Sequence, residues 1–396
     1  MKARTTVLVA LFALAATLPA AAAKLKVPQQ YPTVSSAVAA ASNGDTVEVQ
    51  GGPYIEQVVI NKSIKLVGKP TGVIKAPLTM TGSKAIVLVT GAGVSATIQG
   101  LTITGPGDGG CDSIRWGIRV EAGADATIKN NDILEIRDEP IGGCQNGVGI
   151  MVGRASESTT GTADIRNNFI AGFQKNGMVI SNVGSSACVE NNLVQGAGPV
   201  TFIAQNGIQV SGGAFATVGH NTVRNMRYTP QTVSDAGILV IGAAAGSDFE
   251  HNVVENVDVG FYLFTTSGVN VDHNKSRGST FDGIIVQQGS GNTVSNNQVE
   301  GNSQGGPAFG AGIGLYNATG NFICDNKAKN NLDDGFFADV TSTGNQFDNN
   351  HAAKNGAWGF HDVSVGTGTS FTGNTYTGNK ANGNTNGDSS PPGLAQ

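Results

Sequence analysis

A glycine followed by a large apolar residue recurs at Gly117, Gly147, Gly177, Gly207, Gly237, Gly260, Gly283, Gly312, Gly335 and Gly359, at spacings of 30, 30, 30, 30, 23, 23, 29, 23 and 24 residues. A second series runs in step with it, at Asn131, Asn168, Asn192, Asn221, Asn252, Asn274, Asn297, Asn326, Asn350 and Asn374. Nine of the ten Gly-to-Asn intervals are 14 or 15 residues, so one structural unit repeats along most of the chain. Repeats of this length mean a solenoid or a comparable stacked array. Each unit resembles Gly207-Ile208-Gln209-Val210-Ser211, a Gly-rich turn, Ala216-Thr217-Val218, then His220-Asn221 and Thr222-Val223. Apolar and polar residues alternate with period two, the mark of a strand, and Gly or Asn sits at every bend. One unit is therefore three short strands and three turns. Such a coil cannot bury its own inner face, but coils stacked at about 4.8 Å bury a continuous core. The expected fold class is all-β, a parallel β-helix.

Composition agrees. The 57 glycines and a charged fraction of 13% are poor material for a helical bundle. A net charge of −5 gives no reason to bind nucleic acid or anionic lipid, which need clustered cations. Lys2 and Arg4 precede an apolar run from Val7 to Leu18, and Ala21, Ala22 and Ala23 follow with small-x-small spacing. This reads as a bacterial-type signal peptide at 1–23 and predicts a secreted or periplasmic protein. No later run is long enough to span a membrane. The remaining chain divides into an N-terminal cap with a short helix at 24–44, the β-helix at 45–374 and a disordered tail at 375–396, whose polar run from Asn379 to Asn384 has little to bury.

On these ladders, over about residues 28 to 374, the chain resembles the right-handed parallel β-helix proteins of the pectin-lyase-like superfamily. The resemblance implies a single-stranded right-handed coil and an Asn ladder that fills the tight second turn. The segments Tyr31 to Val38 and Gly44 to Val49 resemble the amphipathic helix and first strand that cap such a coil. In that superfamily, clefts for polysaccharides lie on the sheet of the first strand, between loops. The motifs of its known enzymes are absent: there is no Asn-Thr-Asp with Gly-His-Gly, no Asp-Pro-His and no Gln-Asp-Thr pattern.

Long insertions fall at one corner, between Asn131 and Gly147, Asn192 and Gly207, Asn221 and Gly237, and Asn297 and Gly312, with a further one from Thr104 to Trp116. They should wall a gap whose floor is the short rungs at Gly260 and Gly283. Alternation places Arg119, Gly149, Val179, Gln209, Leu239, Tyr262, Ile285, Gly314, Phe337 and His361 in one outward row of the first sheet. A second row holds Glu121, Met151, Ser181, Ser211, Ile241, Phe264, Gln287, Tyr316, Asp339 and Val363. Its aromatic stretch suits sugar stacking, packing beneath loops, or a protein partner.

Asp235, Asp258 and Asp282 occupy three successive corners. Stacked carboxylates raise one another's pKa or recruit Ca²⁺, which makes them the candidate catalytic residues; alternatively they serve as turn formers. Arg224, Arg227 and Tyr228, in the loop ending at Asp235, are candidates for facing an anionic sugar, with Tyr262, Phe264, Tyr316 and Phe337 as stacking platforms. His220, His251 and His273 each precede a ladder Asn, with Glu250 and Asp272 beside two of them. They are weak metal candidates of the kind a NosD-like protein, associated with copper-site maturation, would use, and equally residues that tolerate a left-handed turn. Cys111 and Cys144 lie in loops of consecutive rungs and are predicted to form a disulfide; Cys188 and Cys324 should stay free. Beyond the weak metal set and Ca²⁺, no cofactor is implied. The leading function is binding, and processing by lyase, epimerase or hydrolase chemistry, of a polysaccharide. The alternatives are a non-catalytic extracytoplasmic interaction or adhesion protein, and a NosD-like metal-delivery accessory.

Overall fold

The computed structural model describes residues 21–302 and 310–396. Almost all of the expected signal peptide lies outside the described residues. The cap begins with a strand, Lys24–Val27, that pairs in parallel with Thr46–Ile55 and so forms the first layer of the stack before the helix is reached. The only α-helix among the described residues, Val34–Ala40, starts with a reciprocal capping box between Thr33 and Ser36. The Glu56 carboxylate accepts from the Val34 and Ser35 amides, both at 2.8 Å. Val34, Ala37 and Val38 are buried, closing the end of the core that an open coil would expose.

From there the chain winds into a parallel β-helix. Thirteen strands, from Val58–Ile60 to Gly387–Ser390, stack as one sheet, and the other two sides of each coil merge into a sheet of 24. Inward positions carry Val, Ile and Ala along most of the stack and aromatic rings near its end. Phe336 lies on Phe360 at 4.7 Å and Phe347 on Tyr376 at 4.6 Å, each pair within 4° of parallel.

The glycine column has a steric origin. A Cβ on Gly177 would stand 2.6 Å from the Gly207 carbonyl oxygen, and one on Gly260 2.2 Å from that of Gly283. Rungs approach too closely at this corner for any side chain. The second rung corrects the register expected from the sequence. Ile150 pairs with Ile118 and Met178, so Gly149, not Gly147, stacks on Gly117. Gly147 instead takes a turn at φ +80°. The outward row therefore runs Arg119, Met151, Val179, with Met151 in the place expected for Gly149.

The asparagine column is continuous from Asn131. Asn297 Nδ2 donates to Asn326 Oδ1 at 3.0 Å and to the Val271 carbonyl at 2.8 Å, while its Oδ1 accepts from the Asn274 amide at 2.9 Å. A neutral amide satisfies buried donors and acceptors without burying charge. After Asn350 the column passes to Asn379, where Asn374 was expected. Asn374 ends a second column, Asn292, Asn321, Asn345 and Asn374, and a third holds Asn302, Asn331, Asn355 and Asn384. Thus the last coils carry asparagine at all three corners. The segment after Asn374 is not a disordered tail: Thr375–Thr377, Lys380–Asn382 and Gly387–Ser390 complete another coil, fastened by Asn379 and Asn384 and closed by buried Leu394. Its polar composition hid this, because these corners are held by amide hydrogen bonds and need little apolar surface.

Insertion loops of consecutive rungs pack on one another. Gly107–Asp108 pairs with Asp138–Glu139, and Cys111 is disulfide-bonded to Cys144 with a Cα separation of 5.5 Å. Cys188 and Cys324 are free.

Candidate functional site

The thirteen-stranded sheet carries a groove with two adjoining cavities. The larger, about 390 Å³, is lined by residues that include Tyr262, Ile285, Gln287, Tyr316 and Asp339. The smaller, about 160 Å³, is lined by Tyr316, Asp333, Asp334, Phe337 and His361 with Gly310 and Ala311. Tyr316 is common to both. Register builds this floor: Tyr262 stands beside Ile285, Ile285 beside Gly314, Gly314 beside Phe337, and Phe337 beside His361. The Phe337 ring lies 5.6 Å from Tyr316 and meets His361 edge-on at 5.5 Å. Tyr262 is tilted against Phe264 at 5.9 Å and donates its hydroxyl to Gln287 Oε1.

In the smaller cavity His361 Nδ1 lies 2.8 Å from Asp334 Oδ2, and Asp334 Oδ1 accepts from the Trp358 amide at 2.8 Å. The backbone contact fixes the carboxylate, which then fixes the imidazole. This hydrogen bond raises the His361 pKa above its ordinary value, and burial raises that of Asp333. Beneath Tyr316, Asp282 is fully buried, and its Oδ2 accepts the Tyr316 hydroxyl at 2.8 Å. Burial pushes the Asp282 carboxyl up to about 7 and the Tyr316 hydroxyl far above its usual range. A histidine oriented by a carboxylate can accept and return protons.

The structure brings Asp235 and Asp258 into contact with each other but keeps both out of this groove. Asp235 and Asp258 are fastened inside the corner: Asp258 Oδ2 accepts from the Tyr228 amide at 2.9 Å, its Oδ1 accepts from Thr280 Oγ1 at 2.5 Å, and Asp235 Oδ1 accepts from the Asp258 amide at 3.0 Å. Burial raises both pKa values. Neither residue lines the two cavities, and of the three only Asp282 reaches them, through Tyr316. Arg224 and Arg227 lie on Thr222–Tyr228 in the other large sheet, where Arg224 binds Gln195 Oε1 at 2.9 Å and Arg227 the Gly278 carbonyl at 2.6 Å. Asp333, Asp334 and the partnership with His361 were missed. The available signal was an acidic pair directly before ladder Gly335, one rung from an outward histidine.

His220, His251 and His273 do form a column, with ring centroids 4.9 and 5.0 Å apart and planes within 6°. All three have φ between +52° and +58°, as the corner requires. Parallel rings send their in-plane lone pairs out side by side, whereas a metal ion needs each nitrogen at about 2.0 Å. The column thus does not fit one shared ion, and no group of three or more His, Cys, Asp or Glu side chains is placed to hold a metal ion among the described residues. Nor is any helix of the described residues long and apolar enough to cross a membrane.

A model of the right-handed β-helix region matches residues 61–276, and one described as periplasmic copper-binding protein (NosD) matches residues 189–391. No curated protein sequence matches. Among solved structures, the periplasmic alginate epimerase AlgG superposes with a TM-score of 0.59 at 12% identity, over 85% of this chain and 76% of that one. The Dettilon tailspike protein gives 0.56 at 15% identity, over 90% and 66%. The complex of XylC with xylose gives 0.53 at 13%, over 77% and 75%. At these identities the likeness is one of fold. Each family model spans more than half of the chain, and the protein accordingly belongs to the right-handed β-helix proteins and to the NosD family.

Proposed function

We propose that this protein binds a polysaccharide outside the cytoplasm, in the groove from Tyr262 to His361, and that His361, held by Asp334, transfers a proton there. The observation that carries this reading is the placement of Tyr316 and Phe337. Their rings form a floor between an open cavity and one containing an oriented imidazole. Aromatic floors stack on the C–H faces of sugars, and a long shallow groove on a rigid sheet suits an extended polymer. Sugar-acting β-helix proteins among the structural neighbours, and the periplasmic description of the matched family, support the substrate class and the compartment. Copper has no part in the reading, because the histidine column does not fit a shared ion.

A glycan array read alongside turnover assays tests the proposal. Phe337→Ala should weaken binding about tenfold through loss of the stacking ring. His361→Gln should leave binding within about twofold and lower turnover at least about 100-fold. Binding without turnover that persists in His361→Gln would make this a binding module, and an array with no bound glycan would reject the reading.

A further inference from the structure

The charge of the groove narrows the substrate class, resting on the polysaccharide reading above. Asp333, Asp334 and Asp339 line the two cavities, and Asp282 lies beneath Tyr316; neither lining includes Lys or Arg. Of the cations on these coils, Lys275, Lys327 and Lys354 lie on or directly after strands of the other large sheet, and four more have partners of their own. Arg224 is bound to Gln195, Arg227 to the Gly278 carbonyl, Arg277 to Glu255 and Lys329 to Glu300. In sequence, residues 303–309, which precede Gly310, contain no charged side chain. His361 brings positive charge only when protonated, and its partner Asp334 then offsets it.

We infer that the polymer bound here is uncharged, a neutral hexose or pentose chain, and not a polyuronate. A polyuronate presents one carboxylate per sugar. Several of these would lie close to the aspartates with no guanidinium or ammonium between them, an arrangement that opposes binding. Recognition of carboxylates relies on cationic donors, above all paired guanidinium groups. Neutral hydroxyls suit the same surface, because they donate to Asp333 while the ring faces rest on Tyr262, Tyr316 and Phe337.

The chemistry narrows as well. β-Elimination and C5 epimerisation both remove a proton from the carbon beside a uronate carboxylate, and a neutral sugar has no such carbon. Hydrolysis remains. The glycosidic C1–O bond breaks, the leaving oxygen takes a proton from an acid, and water adds to C1 while giving its proton to a base.

The test is affinity electrophoresis at 0.15 M salt. Alginate and polygalacturonate are each run beside their carboxyl-reduced, neutral counterparts, with a β-glucan, a xylan and a mannan. Neutral polymers should retard the protein, and each reduced polymer should bind about tenfold or more tighter than its parent. In Asp333→Asn, checked for folding by circular dichroism, the preference for neutral over uronate polymer should shrink at least about threefold. Uronates that bind more tightly than their reduced forms, or a preference unmoved by Asp333→Asn, overturn the inference and leave the polysaccharide reading standing. No retardation by any polymer overturns both.

Discussion

The Tyr316 hydroxyl reaches the Asp282 carboxylate, 2.8 Å away, through space that exists because residue 314 is glycine. A Cβ on Gly314 would stand 2.5 Å from Asp282 Oδ2 and 2.6 Å from the Tyr316 ring. Burial, only partly offset by this hydrogen bond, raises the Asp282 pKa from 3.8 to about 7. The folded state therefore keeps a proton that the unfolded chain releases. The stability associated with that proton is complete below about pH 4, declines as pH rises towards 7, and amounts to about 4 kcal/mol. Asp282→Asn, which preserves an acceptor for Tyr316, should flatten that decline. Denaturation midpoints of parent and variant at pH 5 and pH 8 measure it, and equal losses in the two proteins reject the assignment.

His361 titrates in the same direction by a different cause. Its pKa is raised first by the hydrogen bond to Asp334, so the stability it contributes is full below 6.5 and is lost as pH passes the raised value. In Asp334→Asn the imidazole should titrate at lower pH, as read by NMR. A titration that does not move means that Asp334 does not hold the imidazolium.

Steric closeness at the glycine corner predicts a sharp contrast. A Cβ at Gly260 would stand 2.0 Å from Ser276 Oγ and 2.2 Å from the Gly283 carbonyl oxygen, whereas one at Gly142 meets nothing within 4 Å. Gly260→Ala should cost roughly 3 kcal/mol and Gly142→Ala less than about 0.5. Urea melts of the two variants check this, and comparable losses would show that the corner yields.

The Cys111–Cys144 bridge makes a labelling prediction. In unreduced protein an alkylating reagent should mark Cys188 first. Cys324 should react more slowly, because it is buried and its thiol pKa is raised to about 11. Label on Cys111 before reduction would contradict the bridge. Cys111→Ser should lower stability by about 2–4 kcal/mol.

For the histidine column, copper(II) titration of His251→Ala should match that of the parent within about twofold, since parallel rings offer no shared site. A loss of tenfold or more in the variant would restore a metal role.

The stack was readable from Gly and Asn because their periodicity reports one steric and one hydrogen-bonding requirement that every rung must meet. Gly147 misled because Gly149 follows two residues later and each precedes an apolar residue; only the pairing of Ile150 with Ile118 decides between them. Asn374 misled in a related way, since Asn374, Asn379 and Asn384 each belong to a different column. The groove was harder to read. Tyr316 and Phe337 could be placed by alternation, but the pairing of His361 with Asp334 joins an outward strand residue to a corner residue of the preceding rung, and no period links such positions. Asp235 and Asp258 carried the same sequence signature as Asp282, and all three are buried; the hydrogen bond from the Tyr316 hydroxyl is what ties Asp282 to the groove.

The three amide columns also show where this protein tolerates change. Their members are five residues apart within a coil, as in Asn321, Asn326 and Asn331, whereas the stretch from the third column to the next member of the second is 19, 14 and 19 residues, from Asn302 to Asn321, Asn331 to Asn345 and Asn355 to Asn374. In these coils length varies on the grooved side alone. Descendants of this chain, or designers, could exchange the segments that shape a ligand's seat while leaving two walls of each coil untouched, so that new specificity would arise by splicing without refounding the scaffold.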